Sequence, residues 1–152
     1  MCGVNKIIFS DPIVDRENLE SVFIYMKKYI LIISFLGLLT LLMLFCFTFF
    51  SIYSSVESIC IQAKHEFNSD CVESLISYIK SESHTIREKN RAVWALGQFA
   101  DKKALPFLEE IEKSAFSGKQ CDLDKDICQY EVKKAIKWCT QGNSTSWMYR
   151  DL

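Results

Sequence analysis

Glycine, proline and histidine are scarce in this chain of 152 residues, which has 5 glycines, 2 prolines and 2 histidines. With so little glycine it has no glycine-rich loop that could cradle a phosphate, and it lacks a Gly-x-Ser-x-Gly motif. Neither His65 nor His84 stands at zinc-ligand spacing from a cysteine. A net charge of -1 gives no general attraction to nucleic acid. We therefore expect no enzyme activity, no cofactor, no metal and no nucleic-acid partner.

Charge is missing altogether from one long segment. No residue between Lys28 and Glu57 is charged, and an apolar run occupies residues 29–51, from Tyr29 through Leu39 to Ser51. At about 1.5 Å of rise per residue, a helix of this length crosses a hydrocarbon core of roughly 30 Å. A cleaved signal peptide has a shorter apolar region that ends at small residues. The run therefore predicts an uncleaved signal-anchor that holds the protein in a lipid bilayer.

The basic residues beside the run predict its orientation. Arg16, Lys27 and Lys28 precede it, and only Lys64 lies close behind it. Because cytoplasmic flanks carry the excess of lysine and arginine, we expect a cytoplasmic N-terminus and an extracytoplasmic C-terminal domain. The chain then divides into a cytoplasmic tail (1–28), a transmembrane helix (29–51), a juxtamembrane segment (52–69), a helical domain (70–140) and a C-terminal tail (141–152).

Cysteine is abundant after the span. Five of the 7 cysteines lie there, namely Cys60, Cys71, Cys121, Cys128 and Cys139. This density suits an oxidising compartment, where disulfides compensate for a small core. Cys128 and Cys139 fall about three turns apart on one predicted helix, so they cannot bridge each other. The short loop between Cys121 and Cys128 makes that pair the first choice. Cys121 with Cys139, Cys60 with Cys71, and five reduced thiols remain open.

Apolar residues after the span recur at helical spacing, and no alternating strand pattern occurs. The stripes predict helices over residues 71–79, 86–100, 102–115 and 132–139, and a juxtamembrane helix over 57–67 that continues from the span. Asp70 stands where an N-cap of the first helix would stand. Pro106 must lie in the first turn of the third helix, and Gly142 ends the fourth.

Residues 90–108 resemble a HEAT repeat, particularly the short variety first noted in phycobiliprotein lyases. The matching residues are Arg91, Ala92, Ala95, Leu96, Gly97, Asp101, Ala104, Leu105, Pro106 and Leu108. The resemblance, which extends more weakly over residues 71–139, implies an all-α fold: one transmembrane helix followed by a short HEAT-like α-solenoid of antiparallel helix pairs. It implies that Ala95 and Gly97 let the helices of a pair approach closely and that Asp101 caps the next helix.

The resemblance also implies a function, because solenoids of this kind offer curved helical surfaces to partners. We expect a membrane-anchored adaptor or scaffold that binds another protein. Trp94 would be its best single anchor if exposed, and otherwise packs in the helix seam. Arg91 is expected to be structural. The alternative function is a thiol- or redox-active envelope protein that uses Cys121, Cys128 or Cys139.

Two further patterns carry less information. Asp122, Asp124 and Asp126 resemble the opening of a calcium loop, but Lys133 stands where the bidentate glutamate is expected. We therefore expect a solvated acidic loop. Asn143 begins an Asn-Ser-Thr acceptor pattern, which matters only if this end of the chain is luminal in a eukaryotic cell.

Overall fold

The computed structural model describes residues 16–115 and 121–152, and every regular element within them is helical. Its α-helices are α1 (Arg16–Phe67), α2 (Cys71–Lys80), α3 (Ile86–Phe99), α4 (Leu105–Ser114) and α5 (Gln129–Gln141), with 3-10 turns at Lys102–Ala104 and Ser146–Tyr149. The all-helical prediction is confirmed for these residues. Residues 1–15 of the expected cytoplasmic tail and residues 116–120 of the expected loop lie outside the described part of the chain.

The chain divides into two compact units, Met1–Phe47 and Thr48–Leu152. In the first unit α1 exposes large apolar side chains such as Ile30, Leu38 and Leu41, at 65%, 68% and 68%. Among the described residues α1 is the one helix long and apolar enough to cross a membrane, and none of its most apolar stretch is buried. The helix begins at Arg16, ahead of the expected span, because no glycine or proline interrupts residues 16–28.

The second unit has a hydrophobic core to which both flanks of the predicted 70–140 domain contribute. Val56 and Ile59, from the expected juxtamembrane segment, are 0% and 1% exposed. Tyr149, from the expected C-terminal tail, is 2% exposed and stacks on Tyr53 with ring centroids 6.0 Å apart. The other large, fully buried side chains are Tyr78, Leu75, Leu96, Leu108, Val93 and Val132. The compact unit therefore covers residues 48–152.

Side chains ahead of α2 and α3 determine where these helices begin. Asp70 accepts a hydrogen bond from the backbone N of Glu73 at 2.8 Å, as expected of an N-cap. Thr85 and Glu88 form a reciprocal capping box at the start of α3. Because backbone N–H groups donate to both carboxylates, the pKa of Asp70 and the pKa of Glu88 are lowered.

The third predicted helix starts in two steps. Asp101 caps it as expected, by accepting a hydrogen bond from the backbone N of Lys103 at 2.9 Å. A 3-10 turn, Lys102–Ala104, follows, and α4 begins only at Leu105. Pro106 is the physical reason, because it has no N–H to donate to the carbonyl of Lys102, as an α-helix through both residues would require. Instead, the backbone N of Ala104 donates to the carbonyl of Asp101, three residues earlier, at 3.2 Å, as in a 3-10 turn.

Helix α3 is the centre of the packing. It contacts α5 most extensively and α2 next, while α4 packs on α5. Gly97 was expected to let two helices approach closely, and the helix that it faces is α5. A Cβ at Gly97 would lie 2.9 Å from the Cα of Ala135 and 2.8 Å from Cε3 of Trp138. Glycine is therefore required here for the close approach of two helices.

Two disulfides cross-link the second unit. Cys60 is bonded to Cys71, with Cα atoms 5.4 Å apart, and Cys121 to Cys128, with Cα atoms 5.8 Å apart. The first joins the last part of α1 to the start of α2, and the second closes the loop ahead of α5. Cys139 is free and buried. Both disulfides restrict the unfolded chain and so favour the folded unit.

We predict that Gly97→Ala destabilises the second unit. The added methyl group must displace the backbone of α5, and overpacking of this kind costs about 1–3 kcal/mol. Urea unfolding of the full chain in detergent, followed by tryptophan fluorescence, measures the change.

Gly37→Ala is the matched control, since a Cβ at Gly37 meets nothing within 4 Å. Equal unfolding midpoints for the two variants would contradict the close α3–α5 contact.

Candidate functional site

A surface groove of about 430 Å³ lies beside α3 in the second unit. Four residues of α3, at positions 87, 90, 91 and 94, form one wall because spacings of three and four place them on one helical face. Leu123 and Glu131 form the facing wall, from the 121–128 loop and from α5. The groove is thus built by helix periodicity on one side and by a disulfide-closed loop on the other.

Trp94 provides the apolar surface of this groove. Its side chain is half-buried, packing against the hydrophobic core while also lining the groove. Leu123, on the facing wall, is 49% exposed. From the sequence, Trp94 was expected either to be exposed as a binding anchor or to pack between helices. In the structure, part of its side chain packs against the hydrophobic core and part is accessible in the groove.

Asn90 ties the two walls together. Its Nδ2 donates to the carbonyl oxygens of Leu123 and Asp126 at 3.0 and 2.8 Å, and its Oδ1 accepts from the backbone N of Cys128 at 3.3 Å. Asn90 is only 5% exposed, so these bonds satisfy a polar side chain that burial would otherwise penalise. The disulfide and Asn90 are therefore two of the links that hold the loop wall.

Charged groups surround the groove. Arg87 donates to both carboxylate oxygens of Asp124, which raises the pKa of Arg87 and lowers that of Asp124. A hydrogen bond from the backbone N of Asp124 and an ion pair with Lys125 at 3.1 Å lower the pKa of Asp122. Two carboxylates of the calcium-like pattern are therefore already engaged by cations or backbone donors.

Arg91, which was expected to be structural, attracts the carboxylate of Glu88 on the preceding turn of α3 and so helps to lower the pKa of Glu88. The side chain of Arg91 is exposed on the groove wall, and the ion pairs of the described residues do not include it. Across the groove stands Glu131, which is half-buried. Arg91 thus offers guanidinium N–H groups next to the apolar surface of Trp94, an arrangement suited to a ligand with both apolar and acceptor groups.

The cysteines named for thiol chemistry are separated. Cys121 and Cys128 are bonded to each other, whereas Cys139 lies on α5 with 1% of its surface exposed. Its Sγ donates weakly to the carbonyl of Leu96 at 3.7 Å. Burial raises the pKa of Cys139 from its ordinary 9.0 to about 11, so the reactive thiolate is disfavoured.

Sequence reasoning named Trp94 but not Asn90 or Leu123. One signal was present for Asn90, because it falls on the apolar stripe of α3, three residues before Val93 and seven before Gly97. A polar residue at such a position needs buried partners. Nothing in the sequence around Leu123 indicates that it lines a groove. It does so because of the path of the 121–128 loop, which depends on the tertiary fold.

Comparison with known proteins gives no relative: no protein family, no curated protein and no solved structure matches this chain.

We predict that Asn90→Ala loosens the groove. Two carbonyls and one N–H lose their partner, and a buried unsatisfied group costs about 1–3 kcal/mol. The urea midpoint should fall, and hydrogen exchange at the backbone N–H of Cys128 should quicken. Lys89→Ala, one residue away and outside the groove, is the control. If both variants unfold at the same urea concentration, Asn90 does not hold the loop.

We predict that Cys139 is nearly inert in the folded protein. Two pKa units correspond to roughly 100-fold less thiolate below pH 9, and burial restricts access further. Alkylation by iodoacetamide at pH 8, located by mass spectrometry, should therefore be at least that much slower than in urea. Rapid labelling of Cys139 in the folded chain would instead support a thiol-based function.

Proposed function

We propose that this protein is a single-pass, membrane-anchored adaptor that binds another protein in the groove beside Trp94. The observation that carries the proposal is an apolar surface, formed by Trp94 and Leu123, with the exposed guanidinium of Arg91 beside it. Half-exposed tryptophans next to arginines are typical centres of protein interfaces. The partner fitting this groove presents an apolar side chain to Trp94 and a carboxylate or carbonyl to Arg91.

We further propose that α1 is a signal-anchor with its N-terminus in the cytoplasm. Its supports are the exposed apolar side chains of α1 within residues 29–51 and the lysine pair ahead of them. The second unit would then lie outside the cytoplasm, in a compartment where its two disulfides are stable.

The helical unit is proposed to be HEAT-like, with its pairs divided differently from the repeat resemblance. The contacts favour α2 with α3 and α4 with α5 as the two pairs, stacked through α3 and α5. Such a stack is short and buries little surface by itself. Additional buried surface comes from the last part of α1 and from the segment around Tyr149. A unit stabilised in this way leaves its groove residues free for binding.

The thiol-active alternative has less support. Four of the five cysteines after the span are paired in structural positions, and the fifth is buried with a raised pKa. Reactive cysteines normally sit in partly exposed, electropositive surroundings that lower the pKa. The adaptor is therefore the function that these residues favour.

Site-specific photo-crosslinking tests the adaptor proposal in native membranes. A photoreactive amino acid at Leu123 should form an adduct with one protein partner. Trp94→Ala and Arg91→Glu should each abolish that adduct, because they remove the apolar surface and reverse the adjacent charge.

The controls use exposed aromatic residues that do not line the groove. Trp147→Ala should leave the Leu123 adduct intact, and the same photoreactive group at Tyr130, 72% exposed, should not trap this partner. The proposal fails if Leu123 yields no adduct, or if the adduct persists in both groove variants while they remain folded.

A further inference from the structure

We propose that the Ser146–Tyr149 turn rests on the bilayer surface, with the ring of Trp147 inserted among the lipid headgroups. This inference depends on the proposal that residues 29–51 span the membrane. It assigns a second, lipid-facing surface to the helical unit, distinct from the groove at Trp94.

Tyr149 places the turn next to the end of the apolar run. Its ring stacks on Tyr53 at 6.0 Å, and Tyr53 comes two residues after Ser51, the last residue of the run. At about 1.5 Å per residue, Tyr53 lies only ~3 Å along the helix from that point. The Tyr149 ring therefore lies close to the level at which α1 would leave the hydrocarbon core.

The chain on the other side of Tyr149 leads away from this level. The carbonyl of Leu152 accepts a hydrogen bond from Nζ of Lys64 at 2.7 Å. Lys64 stands eleven residues after Tyr53 on α1, which is about 16 Å further along the helix. Residues 150–152 thus lead away from the bilayer, whereas Trp147 precedes Tyr149 by two residues on the same short turn.

Trp147 is 67% exposed, while residues on both sides of it contact the helical unit. Asn143 Nδ2 and Thr145 Oγ1 both donate to Oε1 of Gln98, at 3.0 and 3.1 Å, which fixes the backbone just ahead of it. Tyr149, just after it, is buried against Tyr53 and Phe99. The turn thus leaves a large, mainly apolar ring exposed.

Lipid is the occupant that suits this side chain. Tryptophan is enriched at the headgroup level of membranes because its ring is mainly apolar while its indole N–H needs a wet partner. The nearness of Tyr53 and Tyr149 to the end of the apolar run makes the bilayer the surface available at that height. A protein partner or a second copy of the chain would have to compete with lipid for the same site.

Quenching by brominated phosphatidylcholine tests the inference in the full chain, reconstituted into phosphatidylcholine vesicles. Lipids brominated near the headgroup should quench part of the tryptophan emission. Trp147→Phe should remove most of that quenching, whereas Trp94→Phe should retain it. Bromines near the acyl-chain ends should quench less than those near the headgroup, since the ring lies at the interface.

The outcomes separate the two proposals. If the protein floats with the vesicles but headgroup bromines quench the native chain and Trp147→Phe equally, the lipid contact is overturned while the span stands. If the protein does not float with the vesicles, the span fails and the lipid contact fails with it. Flotation together with loss of quenching in Trp147→Phe alone supports the contact.

Discussion

The solvent that surrounds α1 is the constraint on which the rest of this protein depends. Over residues 29–51 the helix shows large apolar side chains on every side, and none of its most apolar stretch is buried within the protein. Water does not tolerate such a surface, whereas a bilayer accepts it because every backbone group is satisfied inside the helix. The location of this helix determines the compartment of the helical unit. It thereby also determines the oxidation state of the cysteines and the kinds of partner that the unit can meet.

A second constraint acts inside the helical unit, where little apolar surface is available for a core. The unit meets it by close packing at Gly97, by two disulfides, and by recruiting the last part of α1 together with Tyr149. Small domains commonly need such additions, because a short chain buries a smaller share of its surface. The 121–128 loop can form a groove wall for a similar reason, because a disulfide and the hydrogen bonds of Asn90 take the place of hydrophobic packing.

Local features of this chain could be predicted from its sequence, and distant ones could not. The apolar run, the N-cap at Asp70 and the position of Pro106 depend on neighbouring residues, so pattern and propensity were sufficient for them. A close helix approach was expected at Gly97, but a glycine does not indicate which helix approaches, and the structure shows that it is α5. Asn90 and the carbonyls it binds are 33 and 36 residues apart, a pairing that only the tertiary fold specifies.

Alkaline carbonate extraction of membranes containing the full chain tests the central claim most directly. The account predicts that the native chain stays in the membrane pellet, as does a variant carrying Trp94→Ala in the helical unit. A variant with Leu39→Asp and Leu42→Asp should be released, because each charge near the middle of a span costs about 3 kcal/mol. Release of the native chain into the wash, soluble without detergent, would contradict the account.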